Sequence, residues 1–399
     1  MLPRIKGRRR WWWLIGCCCA AAVVLGGPRT LAAGDDPPAD PAKAEQLRED
    51  LRKLIQAARD RVFPALVNIH VVTVDFWDGK EQKGQSIGSG TIISEEGYVV
   101  TNQHVTSKGR KFKCTLADKQ EISADLVGED PLTDLAVIKL RLSELKPGTR
   151  VAVAAFGDSD DVRVGDYVMA MGSPFALARS VTLGIVSNTE RVFTRGEDDE
   201  LEEMELESGQ STGLFTRWIQ HDALIQPGNS GGPLVNLRGE IVGVNELGGD
   251  SIGFAIPSNL AKTVTAALIK HGEVERSWIG VSFKSIKKTG YTQGVLLNSV
   301  IEQGPAAKAG LQAGDLVVRI DGRDVTVRFP EEIPPLLKDL AERPVGAQVR
   351  IAYERDGRRA ETTLTTEKLR KDRGEEVALR AWGCLLYTSD AADDLLCVD

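Results

Sequence analysis

A serine surrounded by glycines is the first candidate for chemistry in this sequence. Residues 227–234 read PGNSGGPL, with Ser230 at the centre. A serine hydroxyl is a weak nucleophile at neutral pH, so it needs an adjacent base and donors for a developing oxyanion. The neighbouring glycines let backbone N–H groups approach a substrate carbonyl without hindrance from side chains. The stretch therefore predicts either a tight turn or a nucleophilic serine.

The base for such a serine must come from the four histidines of the chain. His70 lies in an alternating strand pattern, and His271 ends a predicted helix, where a cation complements the helix dipole. Both patterns favour a structural role. His221 is close to Ser230 in the sequence, which does not establish proximity in the fold. His104 follows GYVVTNQ, where a strand ends and a loop begins, and such positions often display catalytic groups. His104 is therefore the preferred base.

An acid is needed to orient the imidazole, and GEDPLTDLAVIKL offers two aspartates. Asp130 precedes a proline, which is typical of a turn residue. Asp134 opens an apolar strand, which would place its carboxylate at a buried strand edge, where it can stabilise a charged imidazole. The chain order His104, Asp134, Ser230 is the chymotrypsin-type order and differs from the subtilisin and α/β-hydrolase orders. The three residues form a hypothesis for serine-dependent acyl transfer.

Short strands must position these residues. Between residues 64 and 257, β-type runs alternate with glycine and aspartate turns, a spacing typical of a sandwich or of barrels. An amphipathic helix is predicted over residues 45–61, and a second helix over residues 258–270 with Ser258 as its N-cap. Residues 277–369 mix strands with two helical segments, GPAAKAG and EEIPPLLKDLAE. The pattern predicts a mostly β protein with a separate, smaller domain.

Several stretches together resemble one family. GSGTIISEEGYVVTNQHV, DPLTDLAVIKL, IQHDALIQPGNSGGPLVNLRGEIVGVN and GFAIPSN resemble the HtrA (Deg) family of serine proteases, and SWIGVSF with GPAAKAGLQAGDLVVRIDGRDV resembles its PDZ domain. The resemblance covers residues 50–367. It implies a mostly β fold, with a trypsin-like double β-barrel protease domain over residues 63–272 and an α+β PDZ domain over residues 275–369.

The resemblance also implies a function. Members of the family are ATP-independent serine endoproteases that degrade misfolded or damaged envelope proteins, use no cofactor or metal, and assemble as homotrimers or multiples of trimers. The rival hypothesis is a chaperone or scaffold that has the protease fold with little catalysis. Loss of a triad residue or of the glycines would favour the rival, and the sequence retains all of them.

By resemblance, His104, Asp134 and Ser230 are the catalytic triad. The oxyanion hole is formed by backbone N–H groups of Gly228 and Ser230, together with Asn229. In trypsin-like folds, the residue six positions before the nucleophile lies at the floor of the specificity pocket.

That floor residue is Leu224, followed by Ile225, so the pocket offers no carboxylate to a basic side chain. We therefore expect cleavage after small or medium apolar residues. The PDZ domain is expected to bind apolar C-terminal peptides by adding them as a strand to a sheet edge. The loop implied to bind the peptide carboxylate with its N–H groups consists of Trp278, Ile279, Gly280 and Val281.

The N-terminal segment predicts export. Basic residues in MLPRIKGRRR precede an apolar run over residues 11–27 and small residues near Ala33, which is the pattern of a signal peptide over residues 1–34. An uncleaved membrane anchor and a lipid anchor at Cys17 stay open as alternatives. All three place the protein in the periplasm or cell envelope, and residues 35–62 then form a linker with the first helix. The net charge of −7 argues against nucleic acid as a partner.

Two features depart from the family pattern. His221 stands where the family usually has threonine, and it is either a polar strand residue or a group that titrates near the active site. Residues 197–207 are strongly acidic, which is typical of a solvated loop and also fits a docking surface for a basic partner.

The C-terminal region and the cysteines complete the sequence predictions. Residues 370–383 are expected to lead toward a second PDZ domain. Residues 384–399 resemble the translation of a sequencing-library adaptor, with a genuine acidic terminus as the alternative. Cys114 is the one cysteine within the predicted folded body, and it is expected to pack inside a strand.

Overall fold

The computed structural model describes residues 41–77, 80–173, 180–195, 200–205, 211–249, 252–369, 376–379 and 384–387. The chain divides into two compact units, residues 1–49 and residues 50–399. The predicted leader, much of the acidic segment and most of the predicted adaptor lie outside the described residues. None of the helices in the described part is long and apolar enough to cross a lipid bilayer.

The first helix, α1, spans Pro41–Val62, which is slightly longer than the predicted 45–61. Its last turns carry Ala58 and Val62 into the core of the first barrel, where both side chains are fully buried. The Arg61 guanidinium donates a hydrogen bond to the backbone carbonyl of Arg238 at 2.8 Å. The end of the helix is therefore fixed by burial of small apolar residues as well as by a polar contact.

Six antiparallel strands close the first barrel in the order β1-β2-β3-β6-β5-β4. Alternation along β1 places Val67, Ile69 and Val71 inside the barrel. Cys114 lies in the same core on β4, as predicted, and burial raises the pKa of its thiol to about 12. A short helix, α2 (Gln103–Thr106), follows β3. The strands are β1 (Leu66–Trp77), β2 (Lys80–Ile92), β3 (Tyr98–Asn102), β4 (Gly109–Thr115), β5 (Glu121–Asp130) and β6 (Leu135–Leu140).

A second closed barrel has the order β13-β16-β15-β14-β7-β8. Between β8 and β13, two short pairs form, β9 with β10 and β11 with β12. The strands are β7 (Tyr167–Gly172), β8 (Ser180–Arg191), β9 (Thr194–Arg195), β10 (Glu200–Leu201), β11 (Met204–Glu205), β12 (Ser211–Thr212), β13 (Trp218–His221), β14 (Pro233–Asn236), β15 (Ile241–Gly249) and β16 (Ile252–Pro257).

Helix α3 (Ser258–His271) follows the second barrel. Val264 and Leu268 face a core shared with residues of both barrels. The prediction that Ser258 caps the helix is wrong, because its hydroxyl donates to the Gly157 carbonyl at 2.9 Å and Pro257 occupies the N-cap. Gly272, in the left-handed conformation, ends the helix.

A smaller sheet with two helices follows, in the order β18-β19-β20-β22-β23, with β21 paired to β20. Strand β18 is at one edge, and β17 pairs with β24. Two further strands, β25 (Glu376–Leu379) and β26 (Cys384–Tyr387), pair with each other. The mostly β fold class with an added α+β domain is confirmed. The elements are β17 (Ser277–Trp278), β18 (Val281–Lys284), β19 (Val295–Val300), α4 (Pro305–Lys308), β20 (Leu316–Ile320), β21 (Arg323–Asp324), α5 (Ile333–Ala341), β22 (Gln348–Arg355), β23 (Arg358–Thr365) and β24 (Glu367–Lys368).

Candidate active site

His104 and Asp134 meet in the first barrel. His104 lies in the short helix α2, where the sequence predicted the start of a loop. Its Nδ1 is 2.7 Å from Asp134 Oδ2, and its backbone N–H donates to Asp134 Oδ1 at 2.9 Å. The Asp134 side chain is fully buried, whereas that of His104 keeps 20% of its exposure. The buried carboxylate of Asp134 thus holds one ring nitrogen of His104, while the His104 side chain remains partly exposed to solvent.

The backbone around Asp134 explains why its carboxylate points inward. Asp134 follows a 3₁₀ turn at Pro131–Thr133 and has a left-handed φ of 50° before β6 begins. Its carbonyl accepts the side-chain amide of Asn102 and the backbone N–H of Gln103, both at 3.0 Å. The end of β3 and the start of β6 are therefore tied together directly beside His104.

Ser230 follows a tight turn. The N–H of Asn229 donates to the carbonyl of Gln226 at 2.9 Å, and Gly228 has a φ of 100°. Proline and then a positive-φ glycine at the two central positions are the signature of a type II turn. The Asn229 N–H is therefore occupied and cannot bind an oxyanion, contrary to the prediction. The N–H groups of Gly228 and Ser230 are not donated to any residue that the structure describes.

Contacts with the first barrel hold Ser230 beside the histidine segment. The N–H of Ser89 on β2 donates to the Ser230 carbonyl at 2.8 Å. Gly231 has a φ of 81°, and a Cβ there would lie 2.3 Å from the Ser89 carbonyl oxygen and 2.3 Å from Thr101 Oγ1. Thr101 belongs to β3, the strand that leads into His104. Only glycine permits this close approach of the serine loop to the strand.

Glu246 is a site residue that the sequence predictions missed. It lies in β15 at a register shift between Asn245 and Leu247, which marks a bulge. Its backbone carbonyl accepts the Ser230 hydroxyl at 3.2 Å, and its side chain is buried. The available signal was a carboxylate within the otherwise apolar and glycine-rich run IVGVNELGG.

The Glu246 carboxyl is influenced by the neighbouring Asp134. Its Oε2 accepts the indole N–H of Trp218. Complete burial and the charge of Asp134 raise the pKa of the Glu246 carboxyl well above its usual value, and a side-chain hydrogen bond to Asp134 acts in the same direction. The neutral form of Glu246 is therefore favoured.

Asp130 begins a turn, as the sequence predicted, and it also forms a buried ion pair. It ends β5, is buried, and accepts two hydrogen bonds from the Arg276 guanidinium at 2.6 and 2.7 Å. The Thr133 hydroxyl also donates to it. Arg276 immediately precedes β17 and lies over the ring of Phe215 at 4.9 Å. A buried ion pair thus joins the turn that precedes Asp134 to the start of the C-terminal domain.

His221 is confirmed as a strand residue, in β13, and the prediction that it titrates near the active site is wrong for neutral pH. Its side chain is fully buried. Burial lowers its pKa to about 4, against smaller opposing effects of Ala223 and Asp222. The imidazole is therefore neutral under ordinary conditions.

The predicted pocket residues have different environments. Leu224 is 45% exposed, and its carbonyl accepts the Thr182 hydroxyl at 2.9 Å. Ile225 packs against the backbone of β15, since a Cβ on Gly248 would lie 2.4 Å from Ile225 Cβ. Leu224 and Ile225 thus contribute aliphatic side chains, with Gly248 opposite Ile225.

The predicted peptide-binding loop of the PDZ domain lies between β17 and β18. The carbonyls of Ile279 and Gly280 accept hydrogen bonds from Ala306 and Ile301, each at 2.9 Å. Gly280 has a φ of 79°. The two carbonyls thus face the domain interior, beside an edge strand that begins at Val281.

Two six-stranded barrels with a histidine–aspartate pair and a serine turn define a trypsin-like peptidase. Residues 88–244 match the family described as "Trypsin-like peptidase domain", and residues 277–366 match "PDZ domain". The chain is 33% identical to a structure of the HtrA-type protease AlgW with a tripeptide, with a TM-score of 0.64, over 79% of this chain and 97% of that one. The chain belongs to the HtrA family of serine proteases.

Further relatives of the chain are also named as serine endoproteases. A serine endoprotease structure from Yersinia pestis is 30% identical, with a TM-score of 0.57, over 79% of this chain and 97% of that chain. A probable periplasmic serine endoprotease, DegP-like, of Brucella suis biovar 1 (strain 1330) is 39% identical over 72% of this chain and 54% of that protein. One of Pseudomonas putida (strain GB-1) is 35% identical over 73% and 58%. The chain therefore spans about half the length of the curated relatives it matches.

Proposed function

We propose that the protein is a serine endopeptidase with His104, Asp134 and Ser230 as its catalytic triad. The observation that carries the proposal is the pair of hydrogen bonds from His104 to Asp134, at 2.7 Å from the ring and 2.9 Å from the backbone. They fix the imidazole with Nδ1 toward the carboxylate, which leaves Nε2 as the base.

The proposed reaction is the acyl transfer of a serine protease. Ser230 Oγ attacks the scissile carbonyl while its proton passes to Nε2 of His104, and Asp134 stabilises the imidazolium. The imidazolium then gives the proton to the leaving amine, so that an acyl-enzyme remains. Water, activated by the same imidazole, hydrolyses the ester and restores Ser230.

The oxyanion is assigned to the N–H groups of Gly228 and Ser230. The type II turn supports this assignment, because it uses the Asn229 N–H internally and leaves the two flanking N–H groups for a ligand. Removal of such donors typically lowers kcat by about 10²–10³-fold.

The substrate preference is proposed to be cleavage after small or medium apolar residues. Leu224 supplies an apolar, partly exposed surface, and Ile225 packs against Gly248. No carboxylate occupies position 224 or 225, so a lysine or arginine side chain would lose its hydration there without an ionic partner.

The C-terminal domain is proposed to capture C-terminal peptides on the edge of β18, with the carboxylate at Trp278, Ile279, Gly280 and Val281. An edge strand offers unpaired backbone groups for an added strand. The AlgW structures with a tripeptide and with a decapeptide support peptide binding in a relative. We assign residues 63–272 to the protease domain and residues 275–369 to the PDZ domain.

The proposed setting is the periplasm or cell envelope, with misfolded proteins as substrates and a trimer or multiple of trimers as the assembly. The export-type pattern of residues 1–34 and the word periplasmic in the names of the curated relatives support the location. Membership of the HtrA family supports the proposed assembly and the proposed substrates.

Digestion of β-casein by the purified protein tests the proposal. Ser230→Ala and His104→Ala should each lower turnover by about a million-fold, because triad members act as a unit. His271→Ala, at the last turn of α3, is the matched control and should cleave normally. Near-normal cleavage by His104→Ala contradicts the triad, and suppression of aggregation without cleavage by the parent favours the chaperone alternative. Cleavage sites mainly after lysine or arginine contradict the pocket assignment.

A further inference from the structure

Glu246 touches both ends of the proposed triad. Its backbone carbonyl accepts the Ser230 hydroxyl at 3.2 Å, and its carboxyl lies beside that of Asp134. Both carboxyls are buried, with Asp134 fully enclosed and Glu246 at 2% exposure. Two carboxyls enclosed together cannot both be ionised without a large cost, so the pair retains one proton.

The hydrogen-bond donors around the pair determine which carboxyl keeps the proton. Asp134 accepts two N–H groups of His104, one on each oxygen. Glu246 accepts only the indole N–H of Trp218 on Oε2, and no donor in the described part of the chain reaches its Oε1. Donors stabilise the ionised form, so the negative charge belongs on Asp134 and the proton on Glu246.

We propose that Glu246 is a positioning residue of the triad, and that as a neutral carboxylic acid it donates a hydrogen bond from Oε1 to the Asp134 carboxylate. This inference rests on the proposed function. The bond orients the carboxylate toward His104 without adding a second negative charge. Glu246 stands at the bulge in β15, with its carboxyl near Asp134 and its carbonyl at the Ser230 hydroxyl.

The other titratable groups on the elements packed around Glu246 do not replace this pairing. His104 bonds both oxygens of Asp134, and burial keeps His221 on β13 neutral at ordinary pH. Helix α3, which also packs near β15, carries Lys262, whose ammonium donates to Asn259 at 3.1 Å, and the exposed Lys270. The charge that acts on Glu246 is that of Asp134.

An ionised Glu246 would change the pH–rate profile in a way that a neutral Glu246 would not. An ionised Glu246 would place a second negative charge near His104 and would raise the pKa of its imidazole. Replacing Glu246 by neutral glutamine would then lower the acid-side pKa of the pH–rate profile. A neutral Glu246 predicts no such change, because glutamine also donates to Asp134 and accepts from Trp218.

The test compares three variants on a quenched fluorescent peptide taken from a mapped β-casein cleavage site. Glu246→Gln should keep kcat within about twofold and leave the acid-side pKa unchanged. Glu246→Met, of similar length but without a donor, should lower kcat roughly tenfold at constant KM, which is the effect of one lost hydrogen bond to a charged group. Glu190→Gln is the control, because it neutralises an exposed glutamate on β8 that pairs with Arg217, and it should leave kcat and the acid-side pKa nearly unchanged.

Two kinetic results overturn the inference: an acid-side pKa lowered by about one unit or more in Glu246→Gln, or an unchanged kcat in Glu246→Met. Infrared spectroscopy gives a readout independent of catalysis. At pH 7, the parent should show a protonated carboxylic C=O band that is absent from Glu246→Gln. Absence of that band from the parent also contradicts the proposal, even if none of the proteins cleaves the peptide. Loss of cleavage by the parent refutes only the proposed function.

Discussion

Removal of Arg276 should destabilise the protein through the aspartate that it leaves behind. Arg276 and Asp130 form a bidentate pair at 2.6 and 2.7 Å, with 9% and 5% of their side chains exposed. In Arg276→Met, the aliphatic stem can still pack on Phe215, whereas Asp130 retains only the Thr133 hydroxyl as a side-chain donor. The change therefore isolates a buried, uncompensated charge.

The expected loss follows from the burial of the pair. Breaking a buried ion pair by removing one partner typically costs about 3–5 kcal/mol. Because Thr133 still donates to Asp130, and methionine replaces part of the lost packing, we expect a value near the lower end, about 3 kcal/mol. Adding Asp130→Asn removes the stranded charge, so the double variant should recover about 1–2 kcal/mol relative to Arg276→Met alone.

Urea unfolding at pH 7, followed by tryptophan fluorescence, measures these differences. The midpoint should fall in Arg276→Met while the m value stays constant, which is the signature of altered stability without altered compactness. Arg141 and Asp125 provide the matched control. They form a similar bidentate pair at 2.9 and 2.5 Å on the same barrel, but both side chains are more than half exposed. Arg141→Met should leave the midpoint nearly unchanged.

Equal shifts in Arg276→Met and Arg141→Met would refute the reasoning, because burial would then make no difference to the cost. A loss below about 1 kcal/mol in Arg276→Met would do the same, since it is the value for an exposed pair. Failure of Asp130→Asn to restore any stability would show that lost packing, and not the stranded charge, causes the defect.

Three further predictions follow from local geometry. Gly280→Glu adds a negative charge to the loop before β18, so it should weaken binding of apolar C-terminal peptides in fluorescence anisotropy while small unstructured substrates are still cleaved. Equal affinity of variant and parent contradicts the assignment of this loop to peptide binding. Gly231→Ala should abolish casein cleavage and lower Tm, because its Cβ would lie 2.3 Å from backbone and Thr101 atoms at a positive φ; normal activity refutes the close approach. Burial raises the pKa of Glu246, so the folded state keeps a proton that the unfolded chain loses above about pH 4.3. The free energy of unfolding of the parent should therefore fall with rising pH, by about 1.4 kcal/mol per pH unit, until the carboxyl of the folded protein ionises. Urea titrations should show Glu246→Gln gaining stability over the parent with that slope, and a pH-independent difference contradicts it.

Much of the candidate site was predictable because its signals are local in sequence. The turn around Ser230 depends on proline and glycine preferences that act within four residues. His104 follows a strand, and Asp134 opens one, so the pattern of alternating and apolar residues locates both. The barrels follow in the same way from short strands and their turns, since strand formation is read from side-chain alternation.

The sequence could not show which polar atoms meet across the fold. Asp130 precedes a proline, and its pattern predicted a turn, whereas its partner Arg276 is 146 residues away in the chain. Residue preferences for turns and the periodicity of apolar residues carry no information about such partners. The pairing depends on where distant segments of the chain come together in the fold.

Glu246 shows the same division most clearly. Sequence alone determined that a carboxylate interrupts an apolar strand, and the family resemblance determined the protease and PDZ domains. Only the tertiary structure decided that β15 bulges at this residue and brings its carboxyl to Asp134 and its carbonyl to Ser230. The physical reason is that protonation depends on burial and on neighbouring charge, and both are set by segments more than a hundred residues apart.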